Sequence, residues 1–462
     1  MPDAEANRRL LSGWGRTSPS AAVVHTAVDG DDAVKAASSP PPRGVIARGL
    51  GRSYNDAAQN AGGLVVDLTG HSHFLSFDPA SGIVRAGAGV SIADLIEVCL
   101  PHGWFPPVTP GTRHVTVGGA IAADVHGKNH HGDGSLARFV DSITLWTPAT
   151  GVIEVGPDAE PEIFWATTGG LGLTGIVLDA TIRMRRVESS RMTVDIDRAA
   201  DLDAVMALMT EGDDDYLYSV AWIDCQAVGG SLGRSVLTRG RHALVSELEP
   251  GDRRTALAVS PVRAVPAPPW VPSGLVNRLT VGAFNELWFR KDPPRARGVV
   301  QDHGWFFYPL DLVSGWNRMY GTRGFVQYQC VVPFGAEDAL RGAIERLTRS
   351  HAASFLAVLK RFGPGTPGPL SFPSAGWTLA LDFAVGPRHL AGLLDELDVR
   401  VTEAGGRCYL AKDGRADPAL VPVWYPRLAE WREVQRRLDP AGVLTSDLER
   451  RLDLLGRGGP RS

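Results

Sequence analysis

Two short segments of the chain concentrate side chains that could transfer protons or bind an anion. The first, residues 124–131, reads Asp-Val-His-Gly-Lys-Asn-His-His, and His126 and His130 stand four residues apart with a carboxylate nearby. That spacing could belong to a metal cluster, to structural histidines or to an active-site loop. Zinc sites need a fixed ligand geometry, and three glycines between residues 127 and 134 disfavour a rigid helix. These features favour an active-site loop.

The second segment ends at Lys412, which follows a predicted strand over residues 407–411. An exposed lysine at this point would be an ordinary surface cation. A lysine held in a partly buried pocket would instead have a shifted pKa, and it could position an anion or accept a proton. The residues alone leave both interpretations of Lys412 open.

Three glycine-rich stretches cover residues 48–54, 111–120 and 169–175. Glycines let a backbone approach a ligand closely, so that N–H groups can surround phosphate oxygens, although each stretch alone could be a set of turns. The third contains G-x-G-x-x-G, the Rossmann fingerprint, which requires a strand before it and a helix after it. Here a helical pattern over residues 162–168 precedes the motif, and a strand follows from Ile176. Because the order is reversed, we reject a Rossmann-type NAD site.

The elements that must position these segments predict an α+β fold. In the first part, short apolar strands alternate with glycine-rich turns, and Ser91 with Asp94 forms a capping box before a helix that Pro101 ends. The predicted strands cover residues 64–68, 83–86, 141–146, 152–155 and 176–184, the third and fourth joined as a hairpin. Around residues 187–200 this pattern ends and a second domain begins. It contains a proline-rich loop at about residues 250–275.

The last part of the chain has the order β-α-β-β-α-β. Its predicted strands are at residues 324–333, 354–362, 377–383 and 407–411, and its helices at 336–349 and 389–404. That order gives a four-stranded antiparallel sheet with both helices on one side. Strand alternation places Gln327 with Gln329, Thr378 with Ala380, and Lys360 each on one side of its strand. If these sides coincide, the sheet presents a polar wall suited to a hydroxyl-rich ligand; otherwise the face is a solvated exterior.

Composition and charge disfavour several classes of protein. The 462 residues carry 47 Lys and Arg against 51 Asp and Glu, and the net charge of -4 offers no basic field for a nucleic acid. The four cysteines are far apart, without a CxxC pair, and are expected to be reduced. Residues 1–9 lack the apolar run of a secretory signal, and no stretch approaches the ~20 apolar residues of a membrane span. We expect a cytoplasmic or peripherally membrane-associated protein, with the periplasmic face included.

The motifs together resemble a known family. They are found at residues 48–54, 108–121, 126–131, 164–175, 327–329, 371–377 and 411–413. In this combination they are similar to the decaprenylphosphoryl-β-D-ribose 2′-oxidase family, the flavin subunit of the 2′-epimerase of actinobacterial wall synthesis. The resemblance runs from residues 13–16 to residues 451–452 and is weakest over residues 187–275.

The resemblance implies a two-domain FAD-binding fold of the PCMH/VAO type. Residues 1–188 and 406–462 would form the FAD-binding domain, and residues 189–405 a substrate domain built on an antiparallel sheet covered by helices. FAD is expected to be non-covalent, because Tyr54 stands where many relatives of the wider class carry the histidine that bonds to the flavin. Flavin that stayed on the denatured polypeptide would contradict this expectation.

The resemblance also implies roles for individual residues. Lys412 is expected to position or accept the proton of a substrate hydroxyl, with His126 in reserve. The residues expected to bind the substrate are Lys128, Trp222, Gln327, Gln329, Lys360, Thr378 and Ala380. The residues expected to hold FAD are Arg48, Gly49, Leu50, Gly51, Arg52, Ser53, Tyr54, Gly111, Thr112, Thr116, Gly118, Gly119, Ala120, Gly127, Gly172, Thr174, Ile176 and Lys412.

The implied reaction is FAD-dependent oxidation of the C2′ hydroxyl of decaprenylphosphoryl-β-D-ribose to a 2′-keto sugar. An NADH-dependent keto-sugar reductase would complete the epimerisation to decaprenylphosphoryl-arabinose for arabinan cell-wall synthesis, and the lipid would bring peripheral membrane contact. One rival is an aldonolactone or sugar-alcohol oxidase of the same fold, acting on a small soluble substrate. Another is a flavin-bearing interaction subunit without turnover. A substrate screen separates them.

Two positions depart from the family pattern. Ala380 stands where well-known members carry a cysteine that faces the substrate pocket, so thiol-directed inhibitors are not expected to attach. Asn55 replaces a glycine, and we expect its loop to survive because asparagine tolerates positive φ better than most residues.

Overall fold

The computed structural model describes residues 7–259, 264–272, 274–350, 352, 354–387 and 389–458. The strands are β1 (Arg8–Leu11), β2 (Ser20–Thr26), β3 (Val45–Arg48), β4 (Leu64–Asp67), β5 (Phe74–Asp78), β6 (Ile83–Gly87), β7 (Trp104–Phe105), β8 (Val140–Thr147), β9 (Gly151–Val155), β10 (Ile176–Arg183), β11 (Arg185–Arg186), β12 (Arg191–Ala199), β13 (Tyr218–Ile223), β14 (Ser235–His242), β15 (Val265–Pro266), β16 (Arg295–Asp302), β17 (Val313–Ser314), β18 (Phe325–Val332), β19 (Ser354–Phe362), β20 (Gly376–Ala384) and β21 (Arg407–Cys408). The α-helices are α1 (Gly30–Ala37), α2 (Ile92–Cys99), α3 (Val117–Ala122), α4 (His130–Asp133), α5 (Pro161–Thr167), α6 (Leu202–Gly212), α7 (Arg278–Lys291), α8 (His303–Phe307), α9 (Glu337–Ser350), α10 (Leu390–Glu403), α11 (Val421–Trp424), α12 (Leu428–Leu438) and α13 (Asp447–Leu452).

Two larger sheets, with a two-stranded pair of β7 and β11, form the N-terminal part of the molecule. One has the order β1-β2-β4-β3, and the other is antiparallel with the order β5-β6-β10-β8-β9. The predicted capping box is confirmed, because the Ser91 hydroxyl accepts from the Asp94 N–H while the Asp94 carboxylate accepts from the Ser91 N–H. The hairpin is confirmed as β8 and β9. The reversed order around the third glycine-rich stretch is confirmed as well, with α5 before it and β10 after it.

An antiparallel sheet of eight strands, with the order β16-β12-β14-β13-β19-β20-β18-β21, forms the second part. The predicted β-α-β-β-α-β unit is one end of this sheet. Its extent was predicted wrongly, because β19 is not an edge strand: Trp222 of β13 pairs with Val358 of β19. An unpaired edge exposes a row of backbone donors and acceptors, and the neighbouring strand satisfies them here. Helices α6, α9 and α10 pack into one hydrophobic core on one face of the sheet.

Two local expectations needed correction. The predicted strand over residues 407–411 ends at Cys408, because the N–H groups of Lys412 and Asp413 both bond to the Tyr409 carbonyl and close a turn. Within the proline-rich run, Val265–Pro266 forms a short parallel pair with Val313–Ser314, at an edge where proline is tolerated. Residues 260–263 and 273 of that run lie outside the described residues.

The polar positions of the second sheet share one face, as predicted. In the register, Lys360 is opposite Thr378, Gln329 is opposite Ala380, and Gln327 is opposite Asp382. Directly paired residues of an antiparallel sheet point to the same side. This side is turned away from α6, α9 and α10 and is covered by the N-terminal part, so the alternative of a solvated exterior is wrong.

After β21 the chain packs against the N-terminal part. The Trp431 indole of α12 donates to the Ala166 carbonyl at 3.0 Å, and Leu444 forms a parallel bridge with Val45. Among the described residues, no helix combines the length and apolar character needed to cross a bilayer.

Candidate active site

A cavity of about 470 Å³ lies between the glycine-rich loops and the polar face of the eight-stranded sheet. Most of the residues that the sequence assigned to cofactor and substrate meet here. The predicted residues that line it are Arg48, Gly49, Leu50, Gly51, Arg52, Ser53, Tyr54, Gly111, Thr112, Thr116, Gly118, Gly119, Ala120, His126, Gly127, Lys128, Gly172, Trp222, Gln327, Gln329, Lys360, Ala380 and Lys412. The distant segments named from the sequence therefore form one site.

Three of the predicted site residues do not line the cavity wall. Thr174 is buried, and its hydroxyl donates to the Thr167 hydroxyl at 3.0 Å. Ile176 is buried at the start of β10. The Thr378 hydroxyl accepts from the Gln329 amide at 3.1 Å and donates to the Cys330 carbonyl. Thr174 and Thr378 are thus hydrogen-bonded to residues that line the wall, Thr167 and Gln329.

The glycine side of the cavity fits a large dinucleotide cofactor. A Cβ added to Gly49 would lie 2.1 Å from the Thr116 hydroxyl, so the two loops meet there without room for a side chain. At Gly111, which lines the cavity, an added Cβ would meet no protein atom within 4 Å. The Arg52 Nε is buried without a hydrogen-bond partner among the described residues. Open backbone and an unpaired guanidinium N–H form a donor set suited to an anionic pyrophosphate.

Three buried lysines surround the opposite side of the cavity. Burial lowers the pKa of Lys128 to about 7. Burial, with repulsion from Lys412 and Lys128, lowers the pKa of Lys360 to about 7. Burial lowers the pKa of Lys412 to about 8, and the nearby Asp382 carboxylate opposes that shift. Amino groups with these pKa values exchange protons near neutral pH, which general acid–base chemistry requires.

His126 lies between the lysines in an aromatic setting. Its ring centroid is 4.9 Å from that of Phe362 and 5.3 Å from that of Tyr409. Burial, and then the charges of Lys360 and Lys412, hold the pKa of His126 well below its usual range, so the imidazole is neutral. Its Nε2 lies 3.1 Å from the Gln329 amide nitrogen.

Asp382 is a buried carboxylate that the sequence analysis did not identify. It accepts hydrogen bonds from the Gln327 amide and, at 3.3 Å, from the Tyr320 hydroxyl. Burial raises the pKa of Asp382 to about 6, against the hydrogen bond from Gln327 and the charge of Lys412. The signal was present in the strand period, because Asp382 follows Thr378 and Ala380 on the same face of β20. The strand period places Asp382 on the site's face, but its connection to the site is the hydrogen bond from Gln327, which lines the cavity.

A network of polar contacts fixes the turn that carries Lys412. The Arg451 guanidinium donates to both carboxylate oxygens of Asp56, at 2.8 and 3.0 Å, and to Asp413 Oδ2 at 2.9 Å. The Asn55 amide donates to the Leu410 carbonyl at 2.6 Å and also to the Asp413 carbonyl. The carbonyls on either side of Lys412 are thereby tied to the glycine-rich loop.

The expected reason for tolerating Asn55 was wrong. Among the described residues, six non-glycine residues adopt positive φ, and Asn55 is not one of them. The asparagine stays in an ordinary backbone conformation and uses its amide as a cross-link between two loops. A glycine at this position could not supply that contact.

Replacing Arg451 by alanine should lower the free energy of unfolding by about 3 kcal/mol, because it leaves Asp56 and Asp413 as unpaired, largely buried carboxylates. Urea denaturation of the purified variant, followed by tryptophan fluorescence, measures the change. Arg349→Ala, which breaks an exposed i,i+4 pair with Glu345, is the control and should cost under about 0.5 kcal/mol. Equal effects of the two substitutions would show that the network does not stabilise the fold.

The cavity has a glycine-lined side and a sheet-lined side, and comparison with known proteins identifies the chain as an FAD-dependent oxidoreductase. The FAD binding domain family matches residues 21–156. The chain is 44% identical over 455 residues to decaprenylphosphoryl-beta-D-ribose oxidase of Mycolicibacterium smegmatis, covering 97% of this chain and 98% of that protein. The chain belongs to the decaprenylphosphoryl-β-D-ribose oxidase family, and the resemblance, the fold class and the FAD cofactor predicted from the sequence are confirmed.

Two further relatives differ in how much of the chain they match. An uncharacterized protein of Streptomyces coelicolor is 41% identical over 374 residues, which is 79% of this chain and 100% of that protein. A mitochondrial L-galactono-1,4-lactone dehydrogenase of rice is 30% identical over 135 residues, only 29% of this chain and 23% of the relative. The similarity to the lactone enzyme is therefore local.

Proposed function

We propose that this protein oxidises the C2′ hydroxyl of decaprenylphosphoryl-β-D-ribose to a 2′-keto sugar, the first half of epimerisation to decaprenylphosphoryl-arabinose for arabinan synthesis. The observation that carries the proposal is the single cavity in which a glycine-lined cofactor side faces Lys412, His126 and the polar wall of the sheet. Identity of 44% with the mycobacterial oxidase over nearly the whole chain supports it.

FAD, when bound, supplies the acceptor for the hydride that leaves C2′. The residues proposed to hold it are the glycine-rich loops at residues 48–54 and 111–120, with Gly127 and Gly172. Tyr54 occupies the place of the covalent histidine, and none of the described cysteines lines the cavity. Acid precipitation should therefore release the flavin into the supernatant, and flavin retained on the precipitate would contradict non-covalent binding.

We assign the hydroxyl proton to Lys412, whose neutral amine can accept it as the C–H bond of C2′ breaks. A base with a pKa near the working pH is the most effective, and the pKa of Lys412 is lowered to about 8. His126 is buried beside Lys412 and neutral, which keeps it as the reserve base. Lys128 and Lys360 lie on the same side. With pKa values lowered to about 7 they are cations only when protonated, and the phosphate of the substrate would favour that form.

The rate of flavin reduction should rise with pH through about 8 and then level off. The sign follows from the assigned role, because only the neutral form of Lys412 accepts a proton and its fraction grows as pH increases through its pKa. Stopped-flow reduction between pH 6 and 9.5 at saturating substrate measures the profile. A rate that falls above pH 8 would contradict the role of Lys412 as proton acceptor.

A substrate comparison tests the function against its rival. Turnover with an artificial electron acceptor should be seen with a polyprenylphosphoryl-ribose and should be absent with aldonolactones, sugar alcohols and free ribose. Turnover with a lactone and none with the phosphoryl-ribose would establish the small-substrate oxidase. A flavin that responds to neither would favour an interaction subunit without turnover.

Two partners complete the proposal. The 2′-keto product becomes the arabinose epimer only if an NADH-dependent keto-sugar reductase delivers hydride to the other face, so the arabino product should form only when such a reductase is added. A lipid-linked substrate also requires contact with a membrane. Helix α7, which contributes to the cavity wall, exposes Leu279 and Leu287 by 84% and 72%. Trp305 of α8, which lines the same cavity, is 59% exposed.

Membrane contact through this surface is tested by co-sedimentation with anionic phospholipid vesicles. Replacing Leu279 and Leu287 together by asparagine should reduce the bound fraction several-fold, because exposed apolar side chains insert at a bilayer surface. Val152→Asn changes an exposed valine of β9, which lies on the five-stranded sheet, and is the control. Equal binding by the double variant and the control would show that α7 does not contribute to membrane binding.

A further inference from the structure

The cavity-facing side of the eight-stranded sheet is polar on some strands and apolar on others. At β18, β20 and the end of β19 it carries Gln327, Gln329, Asp382 and Lys360. Beyond them, towards β12, the side chains that line the cavity are Leu356, Val358, Trp222, Val220, Val236, Thr238 and Ile196. None of these outer positions is charged, and Thr238 is the single one with a hydroxyl.

The strand register joins the outer positions into one continuous surface. Val358 is paired with Ala380 on one side and with Trp222 on the other, so the apolar row begins directly beside the predicted substrate residues. Farther out, Thr238 is paired with both Val220 and Ile196. Four strand spacings separate β20 from β12, which at about 4.8 Å each span about 19 Å. The surface is long enough for an extended chain.

Helices α7 and α8 contribute to the wall of the cavity together with these strands. Trp288 and Lys291 of α7 and Trp305 of α8 line the same cavity. The Phe284 ring lies 5.6 Å from that of Trp288 and 4.9 Å from that of Phe355 in β19, which holds the helix against the sheet. We call the space between α7 and the outer strands the apolar trough. It leads from the Lys412 side of the cavity to the exposed Trp305.

We propose that the apolar trough binds the first isoprene units of the polyprenyl chain of the substrate. This inference rests on the proposed function, which puts the sugar at Lys412 and FAD at the glycine-rich loops. The lipid must then leave along the remaining wall, and that wall is the uncharged one. The charges at its outer margin, Lys291 and Asp292, form an ion pair with each other at 3.5 Å. An apolar chain therefore meets no unpaired charge along the trough.

The inference is tested by comparing two substrates on one variant. Val220→Asn with Ile196→Asn makes the middle of the trough polar beside Thr238, at positions that are only half-buried. The KM for decaprenylphosphoryl-ribose should rise roughly tenfold, since losing the apolar burial of about two methylenes corresponds to such a factor. The KM for ethylphosphoryl-ribose, which has no isoprenoid chain, should change less than twofold. Val152→Asn on the exposed face of β9 is the matched control.

The results distinguish failure of the apolar trough from failure of the proposed function. A rise limited to the long-chain substrate supports the trough, whereas equal changes for both substrates, or none, would overturn it while leaving the proposed function intact. If the unmutated protein oxidises neither phosphoryl-ribose, the proposed function itself fails. Should the double variant not retain FAD, Val220→Phe supplies a second test, because a larger apolar side chain narrows the trough and should raise the same KM selectively.

Discussion

Replacing Lys412 by alanine should lower the rate at which the sugar substrate reduces the bound flavin by about a hundred- to ten-thousand-fold. The Nζ of Lys412 lies 5.3 Å from the centre of the Tyr54 ring, on the turn that Asn55 and Arg451 hold against the glycine-rich loop. Without an amine there, the hydroxyl proton has no acceptor of suitable pKa. Stopped-flow measurement of the reductive half-reaction detects the loss.

The alanine variant should still bind FAD, because it removes only one of the residues expected to hold the cofactor and leaves the glycine-rich loops unchanged. Lys412→Met retains most of the volume and should lose the same activity, which separates the amine from packing. Lys35→Ala, on the exposed side of α1, should react like the unmutated protein. An undiminished rate of flavin reduction in Lys412→Ala would show that Lys412 does not accept the proton. A reduced rate in His126→Ala would then identify His126 as the base.

Replacing Gly111 by leucine should prevent FAD binding without unfolding the protein. The added Cβ meets no protein atom within 4 Å, and Gly111 lines the cavity. A leucine side chain would therefore enter the space that we assign to the cofactor. The purified variant should be colourless, with an affinity for added FAD at least a hundredfold lower, as measured by flavin fluorescence quenching.

Gly392→Leu is the matched control, because a Cβ at that position also meets nothing within 4 Å but lies on the exposed surface of α10, away from the cavity. It should keep its flavin. Circular dichroism should show the same fold for both variants. A yellow Gly111→Leu protein with unchanged affinity for FAD would mean that the cofactor does not bind against this loop.

Local signals in the sequence predicted much of the fold. The capping box at Ser91 and the period of two along β18 and β20 were recognised because hydrogen bonding and pleating act between neighbouring residues. The eight-stranded extent of the sheet was missed, since the pairing of Trp222 with Val358 joins strands more than a hundred residues apart. No local sequence pattern predicts which distant strands pair.

The candidate site was predicted only in part, because some of its contacts join residues that are distant in the sequence. The glycine-rich loops, His126 and Lys412 were found from their residue types and from the resemblance to a family. Asp382 and the cross-link from Asn55 were missed, because their importance depends on what lies opposite them in space. The apolar trough could not be predicted, since it is formed by alternate positions of four strands and by α7.

The central claim, that a polyprenylphosphoryl-ribose delivers hydride to FAD in this cavity, is tested by the visible spectrum of the purified protein under anaerobic conditions. Addition of decaprenylphosphoryl-ribose should bleach the flavin band near ~450 nm, because the hydride that leaves C2′ reduces the cofactor. A flavin that stays oxidised with this substrate, and bleaches only with a free sugar or lactone, would contradict the claim.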